Sequence, residues 1–332
     1  MADTLNLLTD IEGVAVGHAT DLALGSGVTA IVFDEPAIAS GSVLGGAPGG
    51  RDTALLDPSM TVQTVDAFVL SGGSAFGLDA AGGVQSGLRE IGRGFQVGSV
   101  RVPIVPQAIL MDLLNGGNKD WGLHSPYREM GYESFRAAAK GEFALGTVGA
   151  GTGATTATFK GGIGSVSART STGHTVAALV AANALGSATI GEGPHFWAAP
   201  FEEDKEFGGL GLPPTFDNRM RLKGRNVTST TIGVIVTDAV LTKAQAHRLS
   251  ILAHDGLARA ILPAHLPFDG DTIFSAATGA KPLSDPSDFM ELCHLATLVT
   301  ARAVARGVYE AAALPVANAQ IAWRDKFTSP AK

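Results

Sequence analysis

The 332-residue sequence predicts a layered α/β protein, and three observations carry that reading. Short runs rich in β-branched residues occur both early and late, at 28–33, 65–70, 230–237 and 271–276. Stretches with helical apolar spacing follow the second, third and fourth of them, as a half-buried sheet needs helices to cover its apolar face. Hydrophobic residues are 45% of the chain and charged residues 17%, which suits a large packed core and not a disordered chain. With 43 glycines and few aromatics, that core rests on Ala, Val, Leu and Ile. No internal repeat or low-complexity tail breaks the chain, so 1–332 reads as one domain.

The elements follow in order. The strand at 65–70 runs into Ser71-Gly-Gly-Ser-Ala-Phe-Gly-Leu-Asp79 and then an Ala/Gly/Leu helix to about Ile91, a strand, glycine turn and helix. Residues 145–154 are too glycine-rich for a regular element, and a strand ends in 176–183. Residues 191–229 hold Pro194, Pro200, Pro213 and Pro214, a charged run at 202–206 and the arginines from Arg219 to Arg225, which predicts an exposed, mobile connection. At Ser229 the polar stretch stops and the strand 230–237 begins. Thr242 is placed to cap a helix with apolar positions Leu249, Leu252, Ala253, Leu257 and Ile261. After the strand 271–276, a long helix is expected over roughly 287–312.

Charge and cysteine content exclude several classes. A net charge of −7 without a basic cluster argues against nucleic acid and anionic membrane as partners. Cys293 is the only cysteine, so neither an intrachain disulfide nor a thiolate cluster can form, and it reads as a small buried hydrophobe. The first residues lack the pattern of a signal peptide, and no run approaches the roughly 18 apolar residues of a spanning helix, so a cytoplasmic protein is expected. His247 and His254 lie seven apart with no third ligand nearby, which makes a zinc site a poor reading. Residues 149–153 lack the Lys-Ser/Thr of a phosphate loop. No metal or cofactor is expected.

Four places carry candidate chemistry. A Thr hydroxyl needs a base, and a Thr freed as an N-terminus brings its own α-amine. A chain that cuts itself to free such a residue needs the scissile bond where an exposed segment enters a buried strand, and Ser229–Thr230 has that layout. In an extended segment Asp269 and Asp271 face the same way, although an Asp-Gly turn ahead of a strand is the ordinary reading. Lys160 is set among glycines that allow close approach, and is otherwise a surface lysine. Asn183 closes an apolar strand, where its amide must find a partner, and a structural use fits as well as a catalytic one.

Together these places resemble the DmpA-like self-processing hydrolases: the L-aminopeptidase/D-amino-acid esterases, β-aminopeptidases and endo-type nylon-oligomer hydrolases. The resemblance runs through Gly45-Gly-Ala-Pro-Gly-Gly-Arg-Asp-Thr53, Leu70-Ser-Gly-Gly-Ser-Ala-Phe-Gly-Leu-Asp79, Val102-Pro-Ile-Val-Pro106 and Gly149-Ala-Gly-Thr-Gly-Ala154. It continues in Lys160-Gly-Gly-Ile-Gly164, Asn183-Ala-Leu-Gly186, Thr230-Thr-Ile-Gly-Val-Ile-Val-Thr-Asp238 and Asp269-Gly-Asp-Thr272. It implies a four-layer αββα sandwich of two stacked sheets, cut into chains 1–229 and 230–332 and assembled as a tetramer of such heterodimers. It further implies that Thr230 is the nucleophile, that Lys160 lies beside it, that Asn183 helps hold the oxyanion, and that Asp269 and Asp271 orient the nucleophilic residue. Ser229 stands where relatives carry Asn or Gly. Phe76 stands where many carry Tyr, and Ser74 and Ala75 where the aminopeptidase-like members place an acid; Ser74 and Phe76 are thus candidate substrate contacts.

The resemblance implies an amidohydrolase acting on short peptides or oligoamides through an acyl-enzyme. Alternatives are an exo-acting aminopeptidase or esterase on L-, D- or β-amino-acyl groups, acyl transfer of the ornithine acetyltransferase type, and an unprocessed relative without activity.

Overall fold

The computed structural model describes residues 4–224 and 229–328. Its strands and helices, in chain order, are β1 (Val14–Asp21), β2 (Ser26–Val43), β3 (Gly50–Arg51), β4 (Thr64–Ser71), α1 (Ala80–Glu90), β5 (Phe95–Val97), β6 (Val100–Val102), β7 (Gln107–Ile109) and α2 (Tyr127–Arg136). There follow β8 (Ile163–Arg169), β9 (Thr175–Ala181), β10 (Ile232–Ala239), α3 (Lys243–Ala260), β11 (Thr272–Lys281), α4 (Pro286–Tyr309) and α5 (Trp323–Phe327). Among the described residues nine strands form one sheet in the order β3-β7-β4-β2-β11-β10-β9-β8 with β1 on β2, and β5–β6 is a separate hairpin.

β2 folds this sheet into two layers. Its first half pairs with β1 on one side and β4 on the other, whereas Ile38 to Val43 pair with β11. Between the halves the register with β4 shifts, from Val32 to Ala37, and Pro36 falls in that break. Proline has no N–H to give a ladder, so the strand bends there and crosses from one layer to the other.

Side-chain alternation then places four layers. Ile31, Phe33, Phe68 and Leu70 of the first layer meet Leu179, Val234, Val236 and Phe274 of the second. Phe68 and Phe274 stack across that interface with ring centroids 4.9 Å apart. The other face of the first layer, including Val28, Ala30, Ala67 and Val69, packs on α1 and α2. The other face of the second, including Val176, Ala178, Val180 and Ile235, packs on α3 and α4. β9 shows the pattern most simply, since its successive residues alternate between the two clusters. The αββα sandwich implied by the resemblance is present, with its two layers continuous through β2.

The structure departs from the sequence reading in identifiable places. The strand expected at 28–33 is only the first part of β2, and β8 and β9 form a hairpin where one strand was read. α2 had no counterpart, because its sequence is mostly polar; it docks on α1 where glycines let backbones touch, since a Cβ on Gly83 would lie 2.0 Å from the Arg128 carbonyl. The connection after residue 191 is irregular but not uniformly exposed: Phe196, Ala198 and Phe207 are buried, and Phe196 stacks on Trp323. Apolar residues scattered among prolines leave no periodic signal, which is why they read as loop. The end of that connection, 225–228 with Arg225, lies outside the described residues. Cys293 is half-buried on α4, not fully buried, and burial pushes its thiol up to about 11. Thr242 caps α3, accepting the Gln245 N–H, and α4 ends at Tyr309.

Phe274→Ala removes the ring that joins the two layers. A loss of about 3–5 kcal/mol is expected in urea unfolding, the usual cost of emptying a buried aromatic site.

Candidate active site

β10 and β11 run parallel, with Ile232 opposite Thr272, and β9 lies antiparallel on the other side of β10, with Ala181 opposite Ile232. Extending these registers by two residues brings Thr230 against Asn183 and the Ser229–Thr230 junction against 269–271. The hydrogen bonds agree: Thr230 N–H donates to the Asn183 carbonyl at 3.0 Å, and Ser229 bridges Asp269.

At this corner a hydroxyl, a carbonyl and an N–H donor meet. Thr230 Oγ1 donates to the Ser229 carbonyl oxygen at 2.6 Å, and the Gly270 N–H donates to the same oxygen at 2.9 Å. Ser229 and Thr230 are both buried. Residue 270 must be glycine for this approach, since a Cβ there would lie 2.6 Å from Thr230 Oγ1 and 2.8 Å from the Ala47 carbonyl. A backbone N–H on a carbonyl oxygen is the arrangement that stabilises negative charge when that carbonyl is attacked.

The two carboxylates flank the corner differently. Asp271 Oδ1 accepts the Thr231 N–H at 2.9 Å, and its Oδ2 accepts the backbone N–H of His265 at 3.1 Å and the His265 ring at 2.8 Å. Asp269 Oδ1 accepts the Leu185 N–H, at 3.4 Å. Burial, and next the charge of Asp271, hold the Asp269 carboxyl above the usual range.

Asn183 is wholly buried and its amide is held in the adjoining wall. Its Oδ1 accepts from Thr155 N at 3.0 Å, Lys223 Nζ at 2.8 Å and Asn115 Nδ2 at 3.4 Å, while its Nδ2 donates to the Met111 carbonyl at 3.0 Å. The backbone donor on the Ser229 carbonyl is the Gly270 N–H, whereas Asn183 Nδ2 donates to Met111. Lys160 is buried, and its Nζ donates to the carbonyls of Gly151 at 3.0 Å and Gly161 at 2.7 Å. It has no hydrogen bond to Thr230; it joins the site through its bridge to Thr155, whose N–H holds Asn183. Burial lowers the Lys160 ammonium to about 7, against the opposing pull of Asp112. Lys223 is likewise lowered to about 7 by burial, with Asp269 and Asp112 acting in the opposite sense.

Ser74 and Phe76 lie on the turn after β4. The Ser74 N–H donates to Leu110, one residue before the carbonyl that holds Asn183. Phe76 is 55% exposed and packs edge-on against Trp121, at 5.5 Å between centroids. A cavity of about 410 Å³, lined by Asn115, Thr155, Lys223, Asn318 and Gln320 among others, opens beside Asn183. A larger hollow of about 500 Å³ between α3 and α4 contains none of these groups.

Gly270, Lys223, His265, Asn115 and Asp112 were not singled out from the sequence. Asp112 is fully buried, accepting from Ser26 Oγ at 2.6 Å and Gly73 N–H at 2.8 Å, and burial raises its carboxyl. Only the match of Asp269-Gly-Asp271 to a motif pointed near Gly270, and a lysine in a polar connection carries no local signal at all. His247 and His254 donate ring N–H groups to the carbonyls of Gly41 and Ser42, and among the described residues no cluster of His, Cys, Asp or Glu is placed to hold a metal. No helix among them is long and apolar enough to cross a membrane.

The four-layer sandwich is similar to the variant of the N-terminal-nucleophile hydrolase fold seen in solved structures. Over residues 6–321 the chain matches the family model "Peptidase family S58", and it belongs to that family, whose members are named for hydrolysing amide bonds. It is 39% identical to an uncharacterized aminopeptidase of Mycobacterium tuberculosis, over 97% of this chain and 98% of that one. A 6-aminohexanoate-oligomer endohydrolase of Agromyces is 25% identical over 81% of this chain and 74% of its own. The solved structure of a Burkholderia β-aminopeptidase superposes with a TM-score of 0.72 at 22% identity, covering 98% and 92% of the two chains.

The buried lysine gives a pH prediction. An unfolded lysine titrates near 10.4, roughly, and folded Lys160 near 7, so the unfolded chain binds more protons between those values. This contribution to stability is greatest above the unfolded value and is lost as pH falls towards 7. Urea midpoints measured at pH 7 and pH 9.5 should rise less with pH in Lys160→Met than in the parent protein.

Proposed function

We propose that this protein is a self-processing amidohydrolase in which Thr230 attacks the Ser229 carbonyl, cuts the chain into 1–229 and 230–332, and thereafter serves as nucleophile towards substrate. The observation that carries this reading is the contact of Thr230 Oγ1 with the Ser229 carbonyl oxygen at 2.6 Å while Gly270 donates to the same atom. In the first step the hydroxyl oxygen bonds to the carbonyl carbon and the C–N bond to Thr230 breaks. The hydroxyl proton ends on the departing nitrogen, and water then hydrolyses the ester. The cut turns the Thr230 amide into an α-amine that titrates near about 7.7–8.0, a base within reach of its own hydroxyl. Lys160, in the pH range below about 7 where it is protonated, adds positive charge that favours the neutral amine, Asn183 holds the strand end and the wall of the substrate cavity, and Asp269 and Asp271 orient the 229–231 backbone.

The substrate is a short peptide or oligoamide entering the cavity beside Asn183, and Ser74 and Phe76 are further candidate contacts for it. Lys223, six residues before the scissile bond, stands between that cavity and Asn183, and the free chain end made by the cut can withdraw it. Family members named for amino-terminal release favour the second reading, an exo-acting aminopeptidase. The absence of an acid at Ser74 and Ala75 favours internal amides. A homo-oligomer in the cytoplasm completes the proposal.

On a denaturing gel the purified protein should give two bands, and the smaller should begin Thr-Thr-Ile-Gly-Val. Thr230→Ala should leave one band and no amidase activity, while Ser229→Asn should still be cut. A single intact band in a wild-type preparation that hydrolyses amides would rule the mechanism out. Turnover of an amino-acyl p-nitroanilide and of a capped peptide with only internal amides should differ, with the internal amide cleaved faster; release from the free amino end alone establishes the exo-acting reading.

A further inference from the structure

The hollow of about 500 Å³ between α3 and α4 opens on the outer face of the helix layer, and its floor and walls are largely apolar. Leu252 of α3 and Phe289 and Leu298 of α4 are half-buried there, and Met290 at the edge is 66% exposed. The two helices run side by side beneath it. Thr297 Oγ1 donates to the Leu252 carbonyl at 2.8 Å, and a Cβ on Gly256 would lie 2.4 Å from the Thr297 carbonyl. The charges on this face form a pattern. Arg248 and Asp255 are exposed and line the hollow on either side of Leu252. They stand two helical turns apart, roughly 10.5 Å along the axis, too far to pair with each other. Among the described residues neither has an ion-pair partner. Arg259, the next charge along α3, lies over the Phe201 ring, 5.9 Å from its centroid.

We propose that this face joins two copies of the chain about a two-fold axis beside Leu252, their α3 helices antiparallel and Arg248 of each copy opposite Asp255 of the other. A two-fold axis brings the same patch to both sides, so each contact between unlike residues is made twice. With the axis between positions 251 and 252, position 248 meets 255 and position 259 meets 244, where Ala244 carries no charge. Two opposite-charge contacts form along α3 and no like-charge contact does. Other occupants fit the charges less well. A partner of a single charge sign would be attracted at one end of the hollow and repelled at the other, and a copy laid parallel would set Arg248 on Arg248 and Asp255 on Asp255. The apolar surface of Leu252, Phe289 and Met290 lies between the charges, so association removes it from water inside a charged rim.

This face gives a surface to the homo-oligomer of the proposed function and rests on that part of it, not on self-cleavage. The full-length protein is followed by light scattering over a dilution series, with circular dichroism to confirm that each variant is folded. The parent should show the mass of at least two chains. Leu252→Glu sets two like charges at the axis and should halve that mass. Arg248→Glu and Asp255→Arg should each weaken association about tenfold or more, and the two together should restore it, because the reversed charges again meet across the axis. Arg248 and Asp255 are exposed, so this exchange decides the matter even if Leu252→Glu does not fold. A monomeric parent overturns the inference together with the homo-oligomer. An oligomer whose mass none of these substitutions changes overturns the inference alone, as does a double variant no tighter than the single ones. Failure of the parent to cut itself would remove the proposed mechanism and leave these masses standing.

Discussion

The parallel pairing of β10 with β11 is the constraint on which the site depends. Parallel neighbours cannot be joined by a tight turn and need a crossover, supplied here by α3. Both strands therefore begin at the same end of the sheet. Ser229 and Thr230 arrive at that end on one strand, and Asp269, Gly270 and Asp271 on the other, with some forty residues between them in sequence. β9 runs antiparallel on the far side of β10, so its last residues, leading to Asn183, reach the same end. Three strand termini are held in register by interior ladder bonds: a shift of one residue between β10 and β11 would separate Thr230 Oγ1 from the Gly270 N–H that shares its carbonyl, and one between β9 and β10 would move Asn183 off Thr230.

The second governing feature is how much charge is buried at this corner. Lys160, Asp112, Asp269 and Asp271 are nearly inaccessible, and Lys223 joins them from the connection. Taking a charge out of water is costly unless it is paired or neutralised, so such a cluster settles by moving protons among its members. The lysines are drawn down towards neutrality and Asp112 and Asp269 are drawn up. Groups shifted in these directions exchange protons nearer to neutral pH than they would in water, and amide hydrolysis needs proton transfer at both the nucleophile and the leaving nitrogen.

At 22% identity the solved β-aminopeptidase structure still superposes over nearly the whole chain, so the four-layer frame tolerates replacement of most of its side chains. The frame depends on volume and alternation, which many apolar combinations satisfy. The corner depends on backbone approach, as at Gly270, where a single Cβ would meet two oxygens below 3 Å.

What the sequence determined by itself was local and periodic. β-branched runs gave the strands at 65–70 and 230–237, Thr242 gave the cap of α3, and the spacing of Leu249, Leu252, Ala253 and Leu257 gave that helix, because each signal lies within a few residues. Ordered motifs pointed to the family and to Thr230, Lys160, Asn183, Asp269 and Asp271 as candidates. Tertiary structure decided the rest. The bend at Pro36 that makes two layers from one sheet, the burial of Phe196 and Phe207 in an apparent loop, and the arrival of Lys223 and His265 at the site depend on partners far away in sequence. A side chain's chemistry is written in its own residue, but its protonation and its reach are set by the charges, donors and backbone packed around it, and those are assembled only when distant strands pair.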